Sequence, residues 1–312
     1  MLQKRWNHKT LPEDQALQDL MRGINASAAL ASLLLQRGIT DFERAKSFFN
    51  PSLKHLHNPF LMKDMEKAVT RISEAIENGE KILVYGDYDV DGTTAVSLLY
   101  GFLIEHYENV SYYIPDRYAE GYGVSMQGID FAYDNGVTLM IALDCGIKAI
   151  NQVDYANEKG IDFIICDHHL PGKSLPKAFA ILNPLQSDCE YPYKSLCGCG
   201  IGFKLVQALS LTWDLDKEEP LKYIDLVAIA SASDIVPMTG ENRVLTYFGM
   251  KFMEKTLRPG LAQLLEGAGL AQDGALIKKE LTVTDVVFKI GPRINAAGRM
   301  KHGSLAVDLL IS

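Results

Sequence analysis

The sequence is short of cysteine, of basic excess and of long apolar runs, and each shortage argues against a class of protein. Five cysteines stand in 312 residues, an odd count that does not suit a disulfide framework. Cys189, Cys197 and Cys199 lie close together, but their C-x7-C-x-C spacing lacks the C-x2-4-C pairing of zinc sites. No nearby His completes four ligands, so structural thiols are expected rather than zinc. No run of about 18 uninterrupted apolar residues occurs, so a membrane span is not expected. The stretch MLQKRWNHKTLPEDQ has no apolar segment after its basic residues, unlike a secretory signal, and a cytoplasmic protein is expected. Basic residues number 31 against 39 acidic ones, giving a net charge of −8 and a pI near 5.4. That balance does not suit a protein that coats nucleic acid by broad electrostatics. It still allows an enzyme whose basic residues gather in one groove, and bound cations would offset a cluster of acidic ligands.

What is present is enough apolar residue, 47%, for a large core, in one large domain or two smaller ones. Residues 1–60 read as a helical extension, with ALASLLLQRGI amphipathic and broken at Gly38. Residues 61–240 read as an α/β domain. A helix is expected over 64–78, where Met65, Ala68, Val69, Ile72, Ala75 and Ile76 recur at helical spacing. Strands are expected at KILVYG (81–86), VSYYI (110–114), TLMIAL (138–143), DFIIC (162–166) and AFAIL (178–182), with helices near 93–107, 125–135 and 147–159. This alternation predicts βαβ units and a parallel sheet flanked by helices. From about 196 the pattern is mainly helical, and residues 241–312 read as its continuation. The closing LAVDLLIS stops in an apolar helical pattern without a cap, as in a chain cut where a longer one continues.

The chemistry lies just past the strand ends. KILVYG runs into Asp87, Asp89 and Asp91, which period-2 spacing puts on one side if the backbone stays extended. TLMIAL runs into Asp144, DFIIC into Asp167-His168-His169, and the apolar helix LVAIASAS into Asp234. In an open parallel sheet, ligands bind outside the carboxyl ends of the strands. Carboxylates so close together repel unless a cation intervenes. Hard oxygen ligands with one or two imidazoles suit Mn²⁺ or Mg²⁺ better than zinc, and a pair of such ions suits phosphate-ester hydrolysis. The bland readings are an acidic turn with a helix cap at DxDxDG, an N-cap at Asp144, and a surface pair at His168-His169. A calcium loop fails, because its twelfth position is Leu98 and a strand precedes it.

GDYDVDG (86–92), LDCGI (143–147), CDHH (166–169) and SDIVPMTGENR (233–243) resemble the four successive motifs of the DHH superfamily of phosphoesterases. IPDRYAEGYG (114–123), CGCGIGFKL (197–205), FKIGPRINAAGRM (288–300) and the stretch over 48–69 resemble its RecJ family of single-strand-specific DNA exonucleases. The resemblance covers nearly the whole chain. It implies a DHH catalytic domain over 61–240 with two metal sites, one of Asp87, Asp89 and Asp144, the other of Asp91, Asp144, His168 and Asp234. Asp144 then bridges the ions, His169 contacts phosphate, and Asp167 orients the histidines. Arg117, in a Gly-rich loop, is a candidate phosphate contact. No acidic residue falls between Val286 and Val307, whereas Lys289, Arg293, Arg299 and Lys301 are basic, a backbone track or a solvated loop. Asn295 contacts substrate or caps a helix. Most aromatic residues sit in apolar runs and are expected in the core.

The resemblance also implies a metal-dependent 5′-to-3′ exonuclease acting on single-stranded DNA in repair and recombination, with a single-strand-binding protein or helicase as a possible partner. Longer relatives carry a further DHH-associated domain, and often an oligonucleotide-binding fold, so here metal binding is expected intact and substrate clamping reduced. One alternative is a phosphodiesterase for short oligonucleotides or cyclic dinucleotides. Another, of a different class, is a non-catalytic nucleic-acid-binding scaffold, which should have lost ligands that are all present here.

Overall fold

The computed structural model describes residues 5, 7, 9–277, 280–300 and 302–312. They fall into two compact units, Met1–His55 and Leu56–Ser312. The first holds α1 (Asp14–Ile24), α2 (Ala28–Leu35) and α3 (Phe42–Phe49) around Leu20, Ala31, Leu34, Ile39 and Ala45. Ser27 and Asp41 cap α2 and α3 by accepting from the amides of Leu30 and Arg44.

In the second unit α4 (Met65–Glu77) leads into β1 (Lys81–Gly86), α5 (Val90–His106), β2 (Val110–Tyr113), α6 (Met126–Asp134) and β3 (Val137–Leu143). Then come α7 (Ile150–Glu158), β4 (Asp162–Cys166) and β5 (Ala180–Leu182). The strands pair in parallel in the order β2-β1-β3-β4-β5. Their near-continuous apolar runs follow from burial on both faces. Leu83, Tyr85, Met140, Ala142, Phe163 and Ile165 pack with Ile129 and Ala132 of α6 and Val153 and Ala156 of α7. The alternate residues Ile82, Val84, Leu139, Ile141 and Ile164 are equally buried. At about 1.5–3 kcal/mol per buried aliphatic side chain, this core sustains charge placed at its strand ends. The chain leaves β1 toward β2 on one side and then crosses to β3 on the other. The carboxyl ends of β1 and β3 therefore flank the crevice where such sheets bind ligands.

The remaining elements are mostly helical: α8 (Gly198–Thr212), α9 (Ile224–Ser233), α10 (Gly240–Lys255) and α11 (Pro259–Gly267). A small hairpin, β6 (Ala271–Gln272) with β7 (Ala275–Leu276), interrupts them. Its turn is Asp273-Gly274, both at positive φ, the backbone that a two-residue hairpin loop requires. After one turn at α12 (Val283–Asp285) and π-helical Val286–Ile290 come α13 (Gly291–Met300) and α14 (Ser304–Ile311). Lys204 of α8 and Glu241 of α10 form a fully buried ion pair at 2.7 Å. Tyr191 Oη and the His57 amide also donate to Glu241, leaving it well partnered. No helix among the described residues is long and apolar enough to cross a membrane.

Candidate metal centre

The loop after β1 does not stay extended, so the condition for period-2 placement of Asp87, Asp89 and Asp91 is not met. The Asp89 carboxylate accepts from the Gly92 amide at 3.0 Å and caps α5, which starts at Val90, three residues earlier than the apolar pattern indicated. Asp87 ends the strand, Asp89 is the cap, and Asp91 lies in the first helical turn. Gly92 permits this tight turn, because a Cβ there would meet the Asp87 carbonyl oxygen at 2.4 Å. The capping alternative is thus correct for Asp89 alone. Asp144 caps nothing: it follows β3 in left-handed backbone at φ 60, and α7 starts only at Ile150.

Asp87, Asp91, Asp144 and Asp167 are buried, and Asp89, Asp234, His168 and His169 are partly buried. His168 Nε2 lies 3.2 Å from Asp144 Oδ1 and 3.7 Å from an oxygen of each of Asp91 and Asp234. Three trios among the described residues bring ligand-type atoms within 4.8 Å of one another: Asp91-His168-Asp234 and Asp144-His168-His169 here, and Glu105-His106-Glu219 away from the strand ends. Among the described residues Asp87 and Asp89 join no such trio. His169, expected as a phosphate contact, falls within ligand range of Asp144.

The electrostatics fit a cation. Both Asp87 oxygens and Asp144 Oδ1 are buried without a donor in hydrogen-bonding geometry among the described residues. Burial, and then the charge of Asp89, pushes Asp87 up to about 7. Burial and then Asp91 push Asp234 up to about 7 as well, and burial and Asp91 raise Asp144 well above the usual carboxylate range. Asp91 is raised by burial against the opposing pull of His168. Carboxyl groups strained in this way stay ionised at neutral pH only with positive charge among them. Oxygen donors with imidazole are the set for a hard divalent ion, and the residues present fit one.

Asp167 serves the histidine at 169. Its Oδ1 is 2.7 Å from His169 Nδ1 and accepts from the His169 amide, while Oδ2 accepts from the Ile147 amide. Burial opposes ionisation of Asp167, yet the His169 bonds hold it below its ordinary value and raise His169 in turn. The ion pair of Asp167 is with His169 and not with His168, so the orienting contact reaches one histidine of the pair.

Two contributors escaped the sequence reading. The amides of Gly198 and Cys199, at the start of α8, donate to Asp91 at 2.6 and 2.8 Å. That contact gives the CGCGIG run its role, since small residues let the helix end approach. Cys197 caps α8 by accepting from the Gly200 amide. All five cysteines are free and buried, and no candidate metal trio among the described residues contains one. The second contributor is Tyr122, 57% exposed, whose hydroxyl lies 3.3 Å from His169 Nε2 and whose ring meets Tyr88 edge-on. Tyr118 is also exposed, so these loop tyrosines are not core.

The Arg117 guanidinium stacks over Tyr88, between Asp87 and Asp89 in sequence. Helix α13 runs from Gly291, packed on Ser233 beside Asp234, to Gly298, packed on the Tyr88 backbone. PRINAAGRM therefore spans the same neighbourhood. Arg299 is exposed, whereas Arg293 donates to the carbonyls of Lys289 and Gly267. Asn295 sits inside α13 and caps nothing, and Lys289 pairs with Asp285. Lys301 lies outside the described residues. A larger hollow of about 740 Å³ beside α4, between Phe60 and Phe179, contains none of the candidate residues.

Residues 81–231 match the DHH family, N-terminal domain. That segment is a DHH-family domain. The chain is 38% identical over 308 residues to the single-stranded-DNA-specific exonuclease RecJ of Bacillus subtilis, covering 99% of the chain and 38% of that protein. A crystal structure of Thermus thermophilus RecJ in complex with Mn²⁺ matches 99% of the chain and 42% of its own, with TM-score 0.79 and 28% identity. The Mg²⁺ complex of the same protein gives TM-score 0.69 at 26% identity, over 99% of this chain and 39% of that one. The chain thus spans about two fifths of the length of these relatives.

Proposed function

We propose that the chain hydrolyses phosphodiester bonds of single-stranded DNA from an end, using Mn²⁺ or Mg²⁺, as an exonuclease of repair and recombination. The observation that carries this reading is the convergence of Asp91, Asp144, His168 and Asp234 on one crevice, with buried oxygens of Asp87 and Asp144 that have no hydrogen-bond donor among the described residues. When bound, a pair of divalent ions would supply an activated water and neutralise charge developing on the phosphate. Asp87, Asp89 and Asp144 would hold one ion, and Asp91, Asp144, His168 and Asp234 the other.

The chain's own residues do the rest. The α8 amides fix Asp91, leaving each of its oxygens a further lone pair for a metal. Asp167 fixes His169 with its raised proton affinity, so that Nε2–H can donate to a phosphate oxygen once the Tyr122 hydroxyl gives way. Arg117 and Arg299 present guanidinium groups for the backbone, with Arg293 and Asn295 on the same helix as secondary candidates. The 5′-to-3′ direction and the choice of DNA over RNA rest on the likeness to RecJ, and so do a cytoplasmic setting and a helicase or single-strand-binding partner.

The test is degradation of a 5′-phosphorylated, labelled single strand with Mn²⁺, beside duplex DNA, RNA and a dinucleotide. Selective loss of the single strand supports the proposal. Cleavage of the dinucleotide alone would replace it with a small-substrate phosphodiesterase.

A further inference from the structure

A cavity of about 240 Å³ opens beside His169, between the Gly-rich loop at 122–124 and the turn that follows β3. Val124, Cys145 and Ile147 form its wall and belong to the core on that face of the sheet. Tyr122, Asp167 and His169 also line it, so it adjoins the proposed phosphate contact directly. Two further lining residues, Lys148 and Gln152, have no hydrogen bond or ion pair from their side chains among the described residues. Nothing in the metal centre uses either of them.

Size and chemistry narrow the occupant. The cavity is smaller than the roughly 300 Å³ at which pockets for drug-sized ligands begin, so it suits one ring-sized group rather than a length of chain. Apolar wall atoms suit the faces of an aromatic heterocycle, and a free amide and ammonium suit the hydrogen-bonding groups on its edge. Because its wall is the domain core, a strand can place a group in it but cannot thread past. A site of that shape next to a phosphate contact selects a chain end.

We infer that this cavity receives the nucleobase of the terminal nucleotide, with Gln152 and Lys148 as specificity-determining residues for its edge. The inference rests on the strand-hydrolysis reading above and names the subsite that makes the attack terminal. Gln152→Phe fills the cavity, and Gln152→Ala, which adds no bulk, reads the same contact if the larger side chain disturbs folding.

The experiment compares, with Mn²⁺, two single strands that differ only in whether the nucleotide at the attacked end carries a base or is an abasic tetrahydrofuran unit. Wild-type protein is expected to prefer the base-bearing end by about tenfold or more, the scale of one base contact. In Gln152→Phe that ratio should fall to within about twofold of unity, and Gln152→Ala and Lys148→Met should lower it part-way. Indifference of the wild type to the terminal base overturns the inference while leaving strand hydrolysis standing. An undiminished preference in a folded Gln152→Phe variant overturns it as well. Failure of the wild type to degrade either strand removes the hydrolysis reading itself, and this inference with it.

Discussion

Gly198 donates its backbone N–H to Asp91 Oδ2 at 2.6 Å, and a Cβ on the same residue would lie 2.6 Å from Asp144 Oδ1. One glycine thus holds one acidic side chain and makes room for another. Gly198→Ala should lower turnover about 10²-fold, the cost of displacing a catalytic group by about 1 Å. Thermal melts and circular dichroism run beside the assay should show a folded protein. Near-normal turnover would mean that the spacing of Asp91 and Asp144 is not critical.

Asp167 accepts from the His169 amide and lies 2.7 Å from His169 Nδ1, the geometry of an orienting contact. Asp167→Asn should cost about 10–100-fold in turnover, as expected for loss of a group that orients a site residue, with smaller change in Mn²⁺ affinity. The measurement is kcat against metal concentration. An equal loss at saturating and limiting Mn²⁺ fits the orienting role, whereas rescue by excess metal would make Asp167 a ligand.

Without metal, stability should fall as pH rises from 6 to 8. Asp87 and Asp234 titrate at about 7 in the folded chain, far above the roughly 3.9 of an unfolded aspartate. The folded state then holds protons that the unfolded state has already lost, so stability drops until the folded groups ionise. His169, raised by Asp167, acts in the same direction. Its contribution is present below its ordinary value and is lost as pH climbs through the folded one. In chelator, Tm should be a few degrees higher at pH 6 than at pH 8. With Mn²⁺ the order should reverse, because protons compete with metal for the same oxygens. A flat or opposite profile in chelator contradicts this electrostatic picture.

Arg117 and Arg299 should each lower the salt dependence of single-strand binding when changed to Ala, by about one unit of the log–log slope. Arg293→Ala should change that slope less and stability more, since its guanidinium is already bound to two helix carbonyls. Equal slopes in all three variants would reject the division.

The sheet was legible because each of its strands is a short apolar run, and three of the five, β1, β3 and β4, run directly into Asp87, Asp144 and Asp167. The turn at Asp89 was not. Period-2 spacing describes only an extended chain, and the cap on Gly92 makes the chain helical at Val90. The grip on Asp91 comes from backbone amides, which no residue letter encodes, although small residues opening a helix at CGCGIG are its trace. Tyr122 was missed because a tyrosine in a Gly-rich loop carries no period. The hairpin at 271–276 was missed because two-residue strands are too short to show one, despite its Asp-Gly turn.

The most direct test of the two-ion account is Mn²⁺ binding and strand degradation measured on wild-type protein and Asp144→Ala together. Asp144 touches His168 and belongs to both proposed ion sets. The account predicts two ions bound by the wild type, fewer or weaker ions in the variant, and no turnover in the variant. Two tightly bound ions with normal degradation by Asp144→Ala would contradict it.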